Sequence, residues 1–188
     1  MWGPDRRWVP DGARCGMPED MDHRHVTFHL TSEFVMRNAI LTPAELKYGY
    51  DQQWLSAADV VAIATAGAVV APEGMAAVDE LSLLLSDELD RVDEVVKGLA
   101  PDPVLVWAYL TTAWIVEHPA DFGDAPLAAI DELYCDFQHP AEMADFVTYM
   151  PMPPGVTPGL DGVWERLHAF LDDGASAFHA ARRPASPV

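Results

Sequence analysis

The chain has 188 residues, and its 30 acidic and 11 basic residues give it a formal net charge of −19. This acidity makes DNA, RNA and anionic membrane surfaces poor partners, and it favours basic proteins through electrostatic steering. Half of the residues are hydrophobic, which is enough for one buried core, so we expect a single domain that folds unaided.

The predicted domain is an acidic helical unit over residues 26–175, with a short segment on either side. Residues 1–25 lack the apolar core of a signal peptide and are predicted to be a disordered N-terminal extension. Residues 176–188 are rich in Ala, Arg and Pro and are predicted to be a flexible tail. The two cysteines, Cys15 and Cys135, suggest no disulfide framework, and we expect a cytoplasmic protein.

The first two helices have clear start signals. The segment Thr42–Glu45 combines an N-cap, a first-turn proline and a capping-box acid, which predicts a helix to about residue 52. The segment Ser56–Asp59 repeats the capping signal for a helix to about residue 70. Ahead of both, residues 26–30 alternate apolar and polar side chains and are predicted to be a short extended segment.

Two further helices are predicted from their apolar residues. Between Val78 and Leu99 these recur at three- and four-residue spacing, which indicates one amphipathic helix unless Ser86 caps a break. The opposite side carries an acidic stripe typical of a solvated face: Glu80, Asp87, Asp90 and Glu94. Residues 103–116 contain no charge, so this helix, with Trp107 and Trp114, is predicted to run through the centre of the core.

The last third of the chain predicts three more helices. One starts at Pro126 and has an apolar face through Phe137, which leaves three acids more exposed: Asp131, Glu132 and Asp136. Residues 140–149 are predicted to form a short helix, residues 150–158 a proline-rich loop, and the apolar residues between 163 and 171 a final helix. The predicted fold class is all-α, a single-domain bundle of about seven helices.

The densest group of polar side chains lies between residues 131 and 145 and comprises Asp131, Glu132, Asp136, His139, Glu142 and Asp145. Carboxylates with one histidine can hold a divalent ion or transfer protons, so Asp136, His139 and Glu142 support a metal-dependent or acid-base enzyme as an alternative. However, Pro140 turns the chain between the two halves, and no Glu-x-x-His pair completes a two-metal site. A protein-binding patch is therefore favoured.

Other candidate chemistry is weaker. Cys135 and His139 have the spacing of a nucleophile and its base, but Cys135 lies among aromatic residues and is better explained by burial. His23, His25 and His29 would share one side of an extended segment, without a pattern that supplies further ligands. Signatures of serine hydrolases, phosphate loops and dinucleotide sites do not occur. We assign no catalytic, cofactor-binding or metal-binding residue.

Two segments resemble a known bacterial family. Residues 134–151 read YCDFQHPAEMADFVTYMP and residues 47–64 read KYGYDQQWLSAADVVAIA. Both are similar to motifs of the domain-of-unknown-function family 2247, although His139 stands where the family motif has an aromatic residue. The resemblance covers about residues 33–173. It implies no established activity, but members resemble, in size and acidity, the small immunity proteins encoded beside bacterial toxins.

The function predicted from these observations is binding to a basic protein, and its more specific form is an immunity protein that occludes a toxin domain. Acidic residues can fill a cationic cleft, and aromatic anchors ringed by charge dominate such interfaces. The candidate contacts are Asp131, Asp136, Glu142 and Asp145, with Tyr149 as the anchor. A structural or oligomeric subunit is a third alternative, and nucleic acids and membranes are not expected partners.

Overall fold

The computed structural model of the protein describes residues 28–71, 73–99, 105–123, 125–151 and 155–183. The α-helices in these residues are α1 Ser32–Asn38, α2 Pro43–Asp51, α3 Ala57–Thr65, α4 Met75–Ser82, α5 Val92–Val96, α6 Leu105–Glu117, α7 Pro126–Asp136 and α8 Gly159–Ala175. Short 3-10 turns lie at Leu89–Arg91, Pro119–Phe122 and Ala141–Phe146, and a π-helical turn, Ser176–Ala180, extends α8. The all-α prediction is confirmed.

Helices α2 and α3 begin where the sequence places them. Thr42 and Glu45 form a complete capping box at the start of α2, and Ser56 and Asp59 form another at the start of α3. Each box satisfies backbone N–H groups that the first helical turn leaves without a partner. Helix α3 ends before the predicted residue 70, because Gly67 adopts a φ of 67° and turns the chain.

The N-terminal extended segment is only partly described. Residues 28–30 form no strand, although their side chains alternate as predicted, with Phe28 and Leu30 buried and His29 exposed. The remainder of the predicted segment, and the predicted extension 1–25, lie outside the described residues. Within the described residues, the only β-bridge is an isolated one that pairs Leu41 with Val69.

Helix α6 runs through the centre of the core, as its lack of charge predicts. Nine of its residues are buried, including Trp107, which is 0% exposed. The indole Nε1 of Trp107 donates a hydrogen bond to the carbonyl oxygen of Glu45 at 2.9 Å. Gly49 lets α2 approach this indole, since a Cβ there would lie 2.1 Å from Trp107 Cζ2. No helix in the described parts of the chain is both long and apolar enough to cross a membrane.

The amphipathic segment between residues 78 and 99 is two helices, with a break that starts before Ser86. Helix α4 ends at Ser82, and α5 begins at Val92. Leu84 turns into the core and is 7% exposed, whereas Leu85, predicted on the buried face, is 64% exposed. The break changes the residues that face inward, because it interrupts the helical period.

The packed part of the chain extends past the predicted boundary at residue 175. The Phe178 ring lies 5.6 Å from the Tyr109 ring of α6, measured between centroids. Arg182 donates to both carboxylate oxygens of Glu45, through Nη1 at 2.5 Å and Nη2 at 3.0 Å. Residues 176–183 therefore pack against α2 and α6, while 184–188 lie outside the described residues.

Candidate functional site

The predicted acidic patch is divided by the fold into an interior and a surface part. Asp131 is 4% exposed, so the prediction that it faces solvent is wrong. Glu132 is half-buried, whereas Asp136, Glu142 and Asp145 are exposed. Asp131 does not fit the role of a direct partner contact that the sequence predicts for it.

Asp131 anchors the segment that follows the Ala141–Phe146 turn. Its Oδ1 accepts a hydrogen bond from the Thr148 backbone N–H at 2.8 Å, and its Oδ2 accepts from the Thr148 hydroxyl. Burial raises the pKa of the Asp131 carboxyl, and the two bonds from Thr148 act in the opposite direction without cancelling the shift. The carboxylate therefore fixes the backbone just ahead of Tyr149.

Tyr149 is 44% exposed and lies beside α7. Its ring centroid is 6.4 Å from that of Tyr134, and its hydroxyl oxygen lies 3.3 Å from Cys135 Sγ. Burial raises the pKa of the Tyr149 phenol, and the nearby Asp131 adds to the shift. The exposed face of this ring can contact a partner, so its role as an aromatic anchor stays a prediction.

Cys135, which the sequence pairs by spacing with His139, is half-buried at the end of α7. Its Sγ lies 3.3 Å from the Tyr149 hydroxyl oxygen. The explanation of Cys135 by burial is therefore met only in part. Cys15, the other cysteine of the chain, lies outside the described residues.

The chain leaves α7 through a strained turn. Gln138 and His139 both adopt the left-handed region, with φ values of 60° and 63°, which side-chain-bearing residues rarely occupy. The backbone N–H of His139 donates to the Tyr134 carbonyl at 2.8 Å, and its ring meets the Tyr134 ring edge-on. Among the described residues, no three His, Cys, Asp or Glu side chains are placed to hold a metal ion.

Glu142 and Asp145 lie together at a groove between the Ala141–Phe146 turn and α8. The groove has a volume of about 380 Å³. We call it the α8 groove; its apolar residues include Leu105, Phe146, Phe170 and Phe178, and its charged residues are Glu142, Asp145, Arg166 and Asp173. The structure thus brings two predicted contact residues to the edge of an apolar depression.

Arg166 is the one cation among the described residues that line the α8 groove, and its guanidinium donates hydrogen bonds to backbone carbonyls. Its Nε donates to the Asp145 carbonyl oxygen at 2.5 Å, and its Nη1 donates to the Thr157 carbonyl at 3.3 Å. These bonds hold α8 to the Ala141–Phe146 turn and to the end of the proline-rich loop. With three acids and one arginine, the groove carries a formal charge of −2.

Sequence reasoning did not find the part of the α8 groove that α8 supplies. In the sequence, Phe170 fits the apolar face of the last helix and Asp173 its polar face, so both are ordinary residues of an amphipathic helix. Phe178 belongs to the segment predicted to be a flexible tail. Spacing along the chain does not show that these residues meet Glu142 and Asp145.

A second cleft lies near the start of α3 and has a volume of about 600 Å³. Its lining is more polar and includes His29, Tyr50, Asp51, Ser56 and Asp93. The Tyr50 hydroxyl donates to Asp93 Oδ1 at 2.5 Å, and burial together with this carboxylate raises the pKa of Tyr50 to about 12. A phenol held this way stays protonated, so it is not a base at neutral pH.

The comparisons with known proteins find one family. A family model described as "Uncharacterized protein conserved in bacteria (DUF2247)" matches residues 31–175. Neither the curated proteins nor the solved structures contain a match to the chain.

Proposed function

The chain belongs to the bacterial family DUF2247, and from that premise we propose that it is a non-catalytic protein-binding domain. Its α8 groove takes up a segment of a basic protein, and the partner we propose is a toxin domain that this chain occludes as an immunity protein. The observation that carries the proposal is an apolar groove edged by exposed carboxylates.

The construction of the α8 groove supports binding to a protein segment. Phe170 and Phe178 are half-buried and offer apolar and aromatic surface, which supplies much of the free energy at protein interfaces. Glu142, Asp145 and Asp173 surround this surface with negative charge. An apolar side chain of the partner would fill the groove, and flanking lysines or arginines would meet the rim.

The net charge of the whole chain supports the basic nature of the partner. A charge of −19 on 188 residues creates a field that attracts cationic surfaces and speeds their encounter. Toxins that act on nucleic acids need cationic substrate clefts, so an acidic protein can block them by filling the cleft. Binding of this kind weakens with salt, because the screening length falls to about 4 Å near 0.5 M.

The test compares three tagged proteins: the native chain, the rim variant E142K/D145K/D173K, and the control variant E33K/E73K/D121K. The control residues are also exposed and lie outside the α8 groove, and both variants change the net charge by the same amount. Each protein is used to capture binders from lysate of the source cells, and a salt step releases them. We expect one basic protein that the native and control proteins retain and the rim variant loses.

The captured protein is then expressed alone and together with the native chain. The proposal requires that it be toxic alone and that the native chain, but not the rim variant, restore growth. Equal retention by the rim and control variants would show that total charge, and not the groove, holds the partner. A complex that is indifferent to 0.5 M salt would contradict the electrostatic basis of the proposal.

A further inference from the structure

The turn between α4 and the Leu89–Arg91 turn exposes two leucines, one on either side of the buried Leu84. Leu83 is 79% exposed and Leu85 is 64% exposed. Single exposed leucines are normal on a protein surface, but large apolar side chains grouped on one turn mark an interaction site. We call residues 83–88 the leucine turn.

The leucine turn is held in place by its own side chains and backbone. Leu84, between the two exposed leucines, inserts into the core and is 7% exposed. The Leu85 backbone N–H donates to Glu88 Oε2 at 3.2 Å. Arg91 then binds Glu88 at 3.0 Å and Glu80 at 3.3 Å, which connects the turn to the end of α4. Leu83 and Leu85 are thus presented by an ordered backbone, which lowers the entropy lost on binding.

The surface around the leucine turn is strongly acidic. Between residues 79 and 91 the acids are Asp79, Glu80, Asp87, Glu88 and Asp90. The one cation in that stretch is Arg91, and it is paired with two of these acids. Five acids and one arginine give the stretch a formal charge of −4. Two leucines within such a rim match an apolar pocket that is bordered by lysines and arginines.

We propose that the leucine turn is a docking surface that inserts Leu83 and Leu85 into an apolar pocket of a basic protein. A second copy of this chain is a poor occupant, because it would bring two acidic stretches of charge −4 together. The inference rests on the proposed function for the basic nature of the partner. The leucine turn is a different surface from the α8 groove, since α4 packs against α3 and α5 whereas α8 packs against α6 and the Ala141–Phe146 turn.

The probe is a synthetic amphipathic peptide of leucine and lysine. The control is a matched peptide in which serine replaces every leucine. Binding of each labelled peptide to the full chain is followed by fluorescence anisotropy at low and at high salt. The variant L83S/L85S removes the two exposed leucines. The control L160S removes a leucine that is 63% exposed on α8, outside the leucine turn.

We expect the leucine–lysine peptide to bind L83S/L85S about tenfold or more weakly than the native chain, and to bind L160S as well as the native chain. Equal binding to the native chain and L83S/L85S would overturn the proposal. So would equal binding of the leucine and serine peptides, since charge alone would then explain the complex. If the native chain self-associates and L83S/L85S abolishes this self-association, the leucine turn binds a second copy of the chain. That result would refute the proposal of a basic partner.

The variants of the α8 groove separate this inference from the proposed function. E142K/D145K/D173K and E33K/E73K/D121K change the net charge equally, so the leucine turn predicts that both bind the leucine–lysine peptide to the same extent. A loss confined to the rim variant would place the peptide in the α8 groove and refute the leucine turn as its site. Failure of the captured partner to distinguish the two variants would refute the groove and leave the leucine turn standing.

Discussion

Replacing Arg182 with methionine should destabilise the protein substantially, although residue 182 lies in a segment predicted to be a flexible tail. The Arg182 side chain is 24% exposed and pairs with Glu45, whose side chain is 6% exposed. The guanidinium reaches both carboxylate oxygens, and its Nη1 also donates to the Ile40 carbonyl at 2.9 Å. Methionine keeps much of the side-chain length but removes these donors and the positive charge.

The size of the effect follows from what Glu45 retains. Breaking a buried ion pair by removing one partner costs about 3–5 kcal/mol, because a charge is left buried without compensation. Glu45 keeps the hydrogen bond from the Thr42 backbone N–H at 2.7 Å, and part of Arg182 is open to solvent. We therefore expect a loss of about 2–3 kcal/mol in the free energy of unfolding. For a chain of this length that corresponds to about 4–12 °C in melting temperature.

The assay is urea unfolding followed by tryptophan fluorescence, since Trp107 donates to the Glu45 carbonyl and reports on this region. Arg183→Met is the matched control, because Arg183 is the next residue, is exposed, and loses the same charge. The control should change the free energy of unfolding by no more than about 0.5 kcal/mol. If both substitutions change the free energy of unfolding by the same small amount, the reasoning is refuted. The packed domain would then end at residue 175, as the sequence predicts.

Three other predictions concern the stability of the fold. Gly49→Ala should cost about 1–3 kcal/mol in urea unfolding, because the new Cβ overlaps the buried Trp107 ring, whereas Gly98→Ala, whose Cβ has room, should not destabilise the protein. Burial raises the pKa of Asp131, so its contribution is fully present below its ordinary pKa of 3.8 and is lost as pH rises. The stability of the native chain relative to D131N should therefore fall as pH rises above about 4, and a rise would contradict the assignment. Burial also acts to raise the pKa of Asp59, but hydrogen bonds to its carboxylate outweigh burial and lower that pKa. The stability of the native chain relative to D59N should therefore fall as pH drops below about 4. A stability difference that does not depend on pH would show that these bonds do not favour the charged form.

Local signals predicted the starts of α2 and α3 and the central helix. The capping boxes at Thr42–Glu45 and Ser56–Asp59 form as predicted, because a cap involves residues three apart and needs no help from the rest of the chain. The uncharged run that ends at Val116 was predicted to be central, and α6 is buried along its length. A helix without charge on any side has to be surrounded by other elements.

Spacing did not predict which way individual side chains face where the chain breaks or turns. Leu84 and Leu85 are neighbours with the same chemistry, and the end of α4 decides that the first is buried and the second exposed. The α8 groove itself was not predicted: Glu142 and Asp145 stand out in the sequence by their charge, whereas Phe178 lies in the segment predicted to be a flexible tail. The acidic residues could be identified from the sequence because charge is a property of a single residue. A groove requires residues from two elements, which the sequence does not place together.

The sequence by itself determined the acidity of the protein, its helical class and the places where α2 and α3 begin, because each depends on residues that are close together in the chain. The tertiary structure decided which charges lie inside. Asp131 is buried because Thr148, 17 residues later, satisfies its carboxylate. Glu45 is paired with Arg182, 137 residues away. A carboxylate tolerates loss of water only where donors replace it, and these donors come from segments that the fold brings together.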